Sequence, residues 1–158
     1  QVNMPLEITI VQLPPHIVYG LWRPSSNKTV AKDIPALSKA YSGVTGKPPE
    51  QTLPFYVLSK GYEEATGRFS LFVGGGGPHE QLEGYTLPGG CYAKATIKPW
   101  LGFLWGSAIG KAKRHFYTRW LPASPYTALN LEYEHHTEQS LGKKPQIDLF
   151  FAIRKKLF

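Results

Sequence analysis

One arrangement of residues occurs twice along this chain, so any fold must accommodate two like halves. Leu13-Pro14-Pro15 precedes an apolar run from Ile17 to Trp22 that ends at Arg23-Pro24. Leu87-Pro88-Gly89 lies 74 residues further on and precedes a run from Tyr92 to Ile97 that ends at Lys98-Pro99. Self-similarity at a fixed offset marks two copies of one supersecondary unit.

Each copy continues in the same order, with a helical stretch followed by two strand-like runs. In the first, Val30, Ile34, Leu37 and Tyr41 recur at spacings of three and four, which predicts an amphipathic helix. Pro35 is tolerable there near the first turn. In the second, Leu101, Leu104, Trp105, Ala108, Ile109, Ala112, Phe116 and Trp120 form a longer stripe stopped by Pro122. The strand pairs are Pro54 to Lys60 with Phe69 to Gly74, and Thr127 to Glu134 with Ile147 to Arg154, rich in β-branched and aromatic residues.

Leu6 to Gln12 reads as an opening strand, and Gly74-Gly75-Gly76-Gly77-Pro78 as a flexible link between the halves. The pattern predicts an α+β fold with an antiparallel sheet, both helices on one face. A ligand cleft between the halves is expected on the other face. Residues 1–158 read as one domain, with repeats over about 6–74 and 81–155.

Composition narrows the function. Hydrophobic residues make up 42% and charged residues 18% of the chain, which is too apolar for a disordered polymer. Lys and Arg (18) exceed Asp and Glu (11) by 7, but the basic residues are dispersed, so no direct nucleic-acid contact is expected. Cys91 is the one cysteine, which excludes an internal disulfide framework or multi-thiolate zinc site and fits a cytoplasmic location. No apolar stretch is long enough to span a membrane, and no signal peptide is expected.

Local motifs add little chemistry. Gly106 to Lys111 has three residues between its glycines where a phosphate loop needs four, and it falls inside a helix. His135 and His136 are adjacent on a strand end and point opposite ways, without a spaced partner, so no metal is expected. Lys111, Arg114, His115 and Thr118 form a solvated polar stripe. No G-x-S-x-G elbow or cysteine motif marks a nucleophile, and no cofactor is expected.

The 4 Trp, 9 Tyr and 8 Phe stand out instead; rings in that number fill a core or line a pocket. Alternation along each run divides it into a helix-facing and an opposite set. Leu129, Leu131 and Tyr133 are expected under the helices with Ile147, Leu149, Phe151 and Ile153. Trp22, Tyr56, Leu58, Phe72, Tyr92 and Phe150 are then expected on the cleft face around Glu132, with Glu134 nearer the strand end and Trp105 reaching in from its helix. A carboxylate among rings must be paired, be neutralised or await a cation, and the combination suits a flat, lipophilic cation. The alternative is that Glu132 pairs with Lys94 or sits at an exposed strand edge.

The segments ITIVQLPPHIVYGLW, DIPALSKAY, YTLPGGCYA and, above all, LEYEHHTEQSLGKKPQIDLFFAI resemble the GyrI-like small-molecule-binding domains, from about Leu6 to Lys155. Such domains also serve as effector-binding domains of AraC-type and MerR-type multidrug regulators. The resemblance implies a duplicated strand-helix-strand-strand unit with a pocket between the halves. It also implies a glutamate, matching Glu132, that meets cationic drugs among aromatic side chains. With one domain filling the chain, no room is left for a DNA-binding module, and a stand-alone binder of amphipathic aromatic, cationic compounds is expected. Some stand-alone members are similar to hydrolases of strained cyclopropane-bearing natural products, which implies an alternative role for Glu132 as catalytic acid or base. A protein target such as gyrase is a third possibility.

Overall fold

In the computed structural model, which describes residues 6–99 and 105–157, eight strands form one antiparallel sheet. They are β1 (Ile8–Leu13), β2 (His16–Ser26), β3 (Phe55–Glu63), β4 (Arg68–Gly75), β5 (Glu83–Leu87), β6 (Gly90–Ile97), β7 (Tyr126–His136) and β8 (Ile147–Lys155). The helices are α1 (Val30–Thr45) and α2 (Trp105–His115). The sheet order, β1-β6-β8-β7-β3-β4-β2-β5, reads the same from both ends once the second four strands are matched to the first four. The β3–β7 pair joins the halves, and each half's opening strand crosses to the other: β1 pairs with β6, and β5 with β2. The opening strand expected over Leu6 to Gln12 is β1; its counterpart β5 has no such signal, because its alternation is short and broken by Gly84.

α1 starts where Asp33, in its first turn, accepts hydrogen bonds from Thr29 Oγ1 (2.7 Å) and Ser25 Oγ (2.8 Å) and pairs with Arg23 (3.3 Å). These hydroxyls and the guanidinium outweigh burial and hold the Asp33 carboxyl below its usual range. The helix stops at Gly46, where a φ of 73° lets its N–H reach Ser42 O. α2 runs into a wide π turn over Phe116–Trp120, in which the Leu121 N–H donates to Phe116 O, and a last turn ends with Pro122 and Ala123. Leu101 and Leu104, expected at the start of its stripe, lie outside the described residues.

Both helices cover the same face. Leu37 and Tyr41 of α1 pack on Phe55, Val57, Leu71 and Val73, while Ala112 and the following Phe116 pack on Ala93, Ala95, Ile147, Leu149, Phe151 and Ile153. The other face is concave and equally dry. Val18, Tyr56, Leu58, Phe72, Leu87, Tyr92, Leu131, Tyr133, Phe150 and Ala152 form one buried cluster there. Among the described residues no helix is long and apolar enough to cross a membrane.

Two expectations need correction. Gly74 and Gly75 belong to β4 rather than to a flexible link; a Cβ on Gly74 would stand 2.8 Å from the Phe72 ring, so the absent side chain is what lets that ring lie against the backbone. In β7, Leu131 and Tyr133 face the concave cluster, not the helices, and Leu129 is exposed. Both faces of the sheet are buried, so alternation separates two sets of side chains without saying which set goes under the helix.

Candidate functional site

The nine residues expected at one cleft divide between the two faces. Trp22, Tyr56, Leu58, Phe72, Tyr92 and Phe150 do come together on the concave face. Tyr133 stacks on Phe150 at 5.1 Å and lies 6.0 Å from Tyr56 and 5.9 Å from Tyr92, so the middle of this face is filled by its own rings. Burial raises the Tyr92 hydroxyl to about 12, and it donates to Pro88 O. His135, stacked on Tyr56 at 4.9 Å, is held below its usual pKa, chiefly by burial.

Glu132, Glu134 and Trp105 are on the helix face. Glu132 pairs in register with Phe151, whose ring is in the core beneath α2. The β7 bulge between Ala128 and Glu132, with Asn130 at a φ of 59°, is pinned by two hydrogen bonds between the Asn130 amide and the Tyr62 backbone, at 2.8 and 2.9 Å. The acid's expected position among these five rings and Leu58 is therefore corrected: it turns away from them because α2 supplies what a half-buried carboxylate needs.

Two side chains one helical turn apart supply it. Lys113 Nζ lies 2.6 Å from Glu132 Oε2, and the Tyr117 hydroxyl donates to Glu132 Oε1 at 2.7 Å. The carboxylate side chain is only 16% exposed. Burial works against the Lys113 charge, but Glu132 and then Glu134 outweigh it and raise its pKa. Burial first, then the Glu132 charge, push the Tyr117 hydroxyl upward. Around the acid, Phe116 stacks on Phe151 at 3.9 Å and on Trp120 at 5.4 Å, and Tyr117 stands edge-on to Phe151. Glu134 bonds His136 at 2.9 Å, and Trp105 lies edge-on to that imidazole at 6.4 Å.

Lys113 and Tyr117 escaped the sequence reading. Their i, i+4 spacing was the available signal, but they lie between the apolar stripe and the solvated one and belong to neither. The alternative partner for Glu132, Lys94, instead approaches Asp148 at 3.9 Å on the concave face. A surface hollow of about 540 Å³, lined by Leu53, Pro54, His135, Thr137, Glu138 and Gln139, opens beside the β3–β7 junction and is lined by neither the acid nor the six concave-face residues. Among the described residues no group of three or more His, Cys, Asp or Glu is placed to hold a metal.

Solved structures share this architecture. An integron cassette protein from the mobile metagenome of Vibrio cholerae matches with a TM-score of 0.68 at 14% identity, over 93% of this chain and 95% of that one. SAV2435, solved bound to tetraphenylphosphonium, matches at 0.66 and 11% identity over 94% of each chain. The C-terminal domain of EcmrR matches at 0.59 and 14% identity over 97% of this chain and all of that one. No family model and no curated protein matches the chain by sequence. The chain thus has the α+β fold of the GyrI-like domains.

Proposed function

We propose that the chain is a receptor for amphipathic aromatic cations and that Glu132 meets their charge. The observation that carries this reading is the half-buried Glu132 carboxylate, set among Phe116, Tyr117 and Phe151 and already occupied by an internal ammonium, that of Lys113. An ammonium on a flexible stem is a replaceable counter-ion. A ligand whose charge is spread over aromatic groups would take its place and gain ring contact as well. The likeness to SAV2435, which holds the lipophilic cation tetraphenylphosphonium, supports the same ligand class here.

Binding fits the acid better than hydrolysis. Lys113 and Tyr117 are both shifted toward keeping their protons, so the site is built to hold charge rather than to pass protons. The test is titration with tetraphenylphosphonium followed by tryptophan fluorescence. Wild-type protein should show saturable quenching, Glu132→Gln should weaken binding about ten-fold or more, and Lys113→Met should strengthen it. Equal affinity of wild type and a folded Glu132→Gln variant would overturn the assignment.

A further inference from the structure

A second ammonium is held on the concave face, in a different way. Lys60 of β3 places its Nζ 4.8 Å from the centroid of Trp22 and 4.7 Å from that of Tyr85. The two rings meet edge to face, 5.1 Å apart at 88°, and the buried Phe72 backs Trp22 at 4.9 Å. Trp22 comes from β2 and Tyr85 from the edge strand β5, so one wall belongs to each repeat. All three of Lys60, Trp22 and Tyr85 are half-buried, and this end of the concave face is open to solvent.

Among the described residues no carboxylate forms an ion pair with Lys60. The charge is met by ring faces, whose quadrupoles attract cations. The wall behind them is fixed: a Cβ on Gly20 would come within 2.7 Å of the Phe72 ring, so that ring lies directly on the β2 backbone. A primary ammonium uses such a cage poorly, because it is compact and strongly hydrated. A methylated ammonium is broader, gives up its water more readily, and puts apolar surface as well as charge against the rings.

We infer that Trp22 and Tyr85 form a binding site for a soluble small molecule bearing a methylated ammonium group, with Lys60 as the tethered occupant that such a group displaces. Displacement is cheap for the protein, since the half-exposed Lys60 swings into water with its hydration restored. The site lies on the opposite side of the sheet from Glu132 and does not depend on that residue.

The test uses choline as the probe and the Trp22 indole N–H as the reporter, in nitrogen–proton correlation spectra of the full chain. Choline should shift that resonance saturably, about ten-fold more tightly in Lys60→Ala than in wild type, and Lys60→Ala/Tyr85→Leu should lose the gain. Glu132→Gln should leave choline binding unchanged, which separates this site from the one proposed on the helix face. The neutral isostere 3,3-dimethylbutan-1-ol should bind far more weakly. The inference is overturned if the isostere binds as well as choline, or if Lys60→Ala with an otherwise native spectrum shows no saturable shift. It is equally overturned if loss of Tyr85 changes nothing or if Glu132→Gln abolishes the choline response.

Discussion

The two faces of the sheet each hold a lysine ammonium, and they hold it by different physics. Beneath α2, Lys113 meets a carboxylate at 2.6 Å whose side chain is only 16% exposed; on the concave face, Lys60 meets the rings of Trp22 and Tyr85. The first attraction is between full charges, and breaking it strands one of them. The second is between a charge and a quadrupole, and breaking it strands nothing. The duplicated backbone therefore carries two unlike cation environments, because duplication copies strand order and parity but not the side chains that decide charge.

The largest effect should come from the backbone that shapes the concave face. At Gly20 a Cβ would overlap the Val73 carbonyl oxygen and stand 2.7 Å from Gly74 Cα. Gly20→Ala is expected to cost about 3 kcal/mol in urea unfolding, through strand separation rather than loss of a contact. Native stability in that variant would break the comparison, since the ring face would then not depend on close strand approach.

Next comes the charge pair. Lys113→Met leaves Glu132 with Tyr117 alone, and should cost about 2 kcal/mol, below the value for a fully buried pair because Lys113 is itself 32% exposed. Adding Glu132→Gln should recover most of that loss, because the stranded charge is then gone. A double variant no more stable than Lys113→Met would show that the stem of Lys113, and not its charge, is what the site needs.

These contrasts also explain what the sequence could disclose. The repeat at Leu13-Pro14-Pro15 and Leu87-Pro88-Gly89 carried the duplicated strand order, because turn residues fix where strands begin. The six concave-face residues were legible from parity, since their runs in β2, β3, β4, β6 and β8 are regular. Glu132 was not. Parity placed it opposite Leu131 and Tyr133 correctly, but its side of the sheet depended on α2 offering Lys113 and Tyr117, a long-range match that no spacing within β7 encodes. Tyr85 and Lys60 were missed for the same reason: their meeting requires β5 to cross to the other half.

A pH experiment sharpens the comparison elsewhere on the concave face, where His135 stacks on Tyr56. His135 has a lowered pKa, with burial the leading cause; Asp148 opposes it, while His136, His16 and Lys94 reinforce it. The unfolded chain, with a histidine pKa near 6.5, then binds more protons than the folded one as pH falls, so stability should decline below about pH 6.5 and level off once the folded form also protonates. Above about pH 7 both forms are neutral and the contribution vanishes. His135→Phe, which keeps a ring on Tyr56, should flatten the profile between pH 7 and 5. An unchanged profile would mean that another group carries the response.

The smallest effect is expected at Lys60. Its ammonium is half-exposed and, among the described residues, forms no ion pair and rests on the rings of Trp22 and Tyr85, so Lys60→Met should change unfolding stability by less than about 1 kcal/mol. Methionine also keeps apolar contact with Trp22 and Tyr85, which further limits the loss. The contrast with Lys113→Met is the informative quantity. A small cost at Lys60 means its ammonium leaves the rings with little penalty, even with no incoming cation to take its place. A cost equal to that at Lys113 would mean that Lys60 is a structural element of the concave face, and the two environments would then differ in chemistry but not in strength.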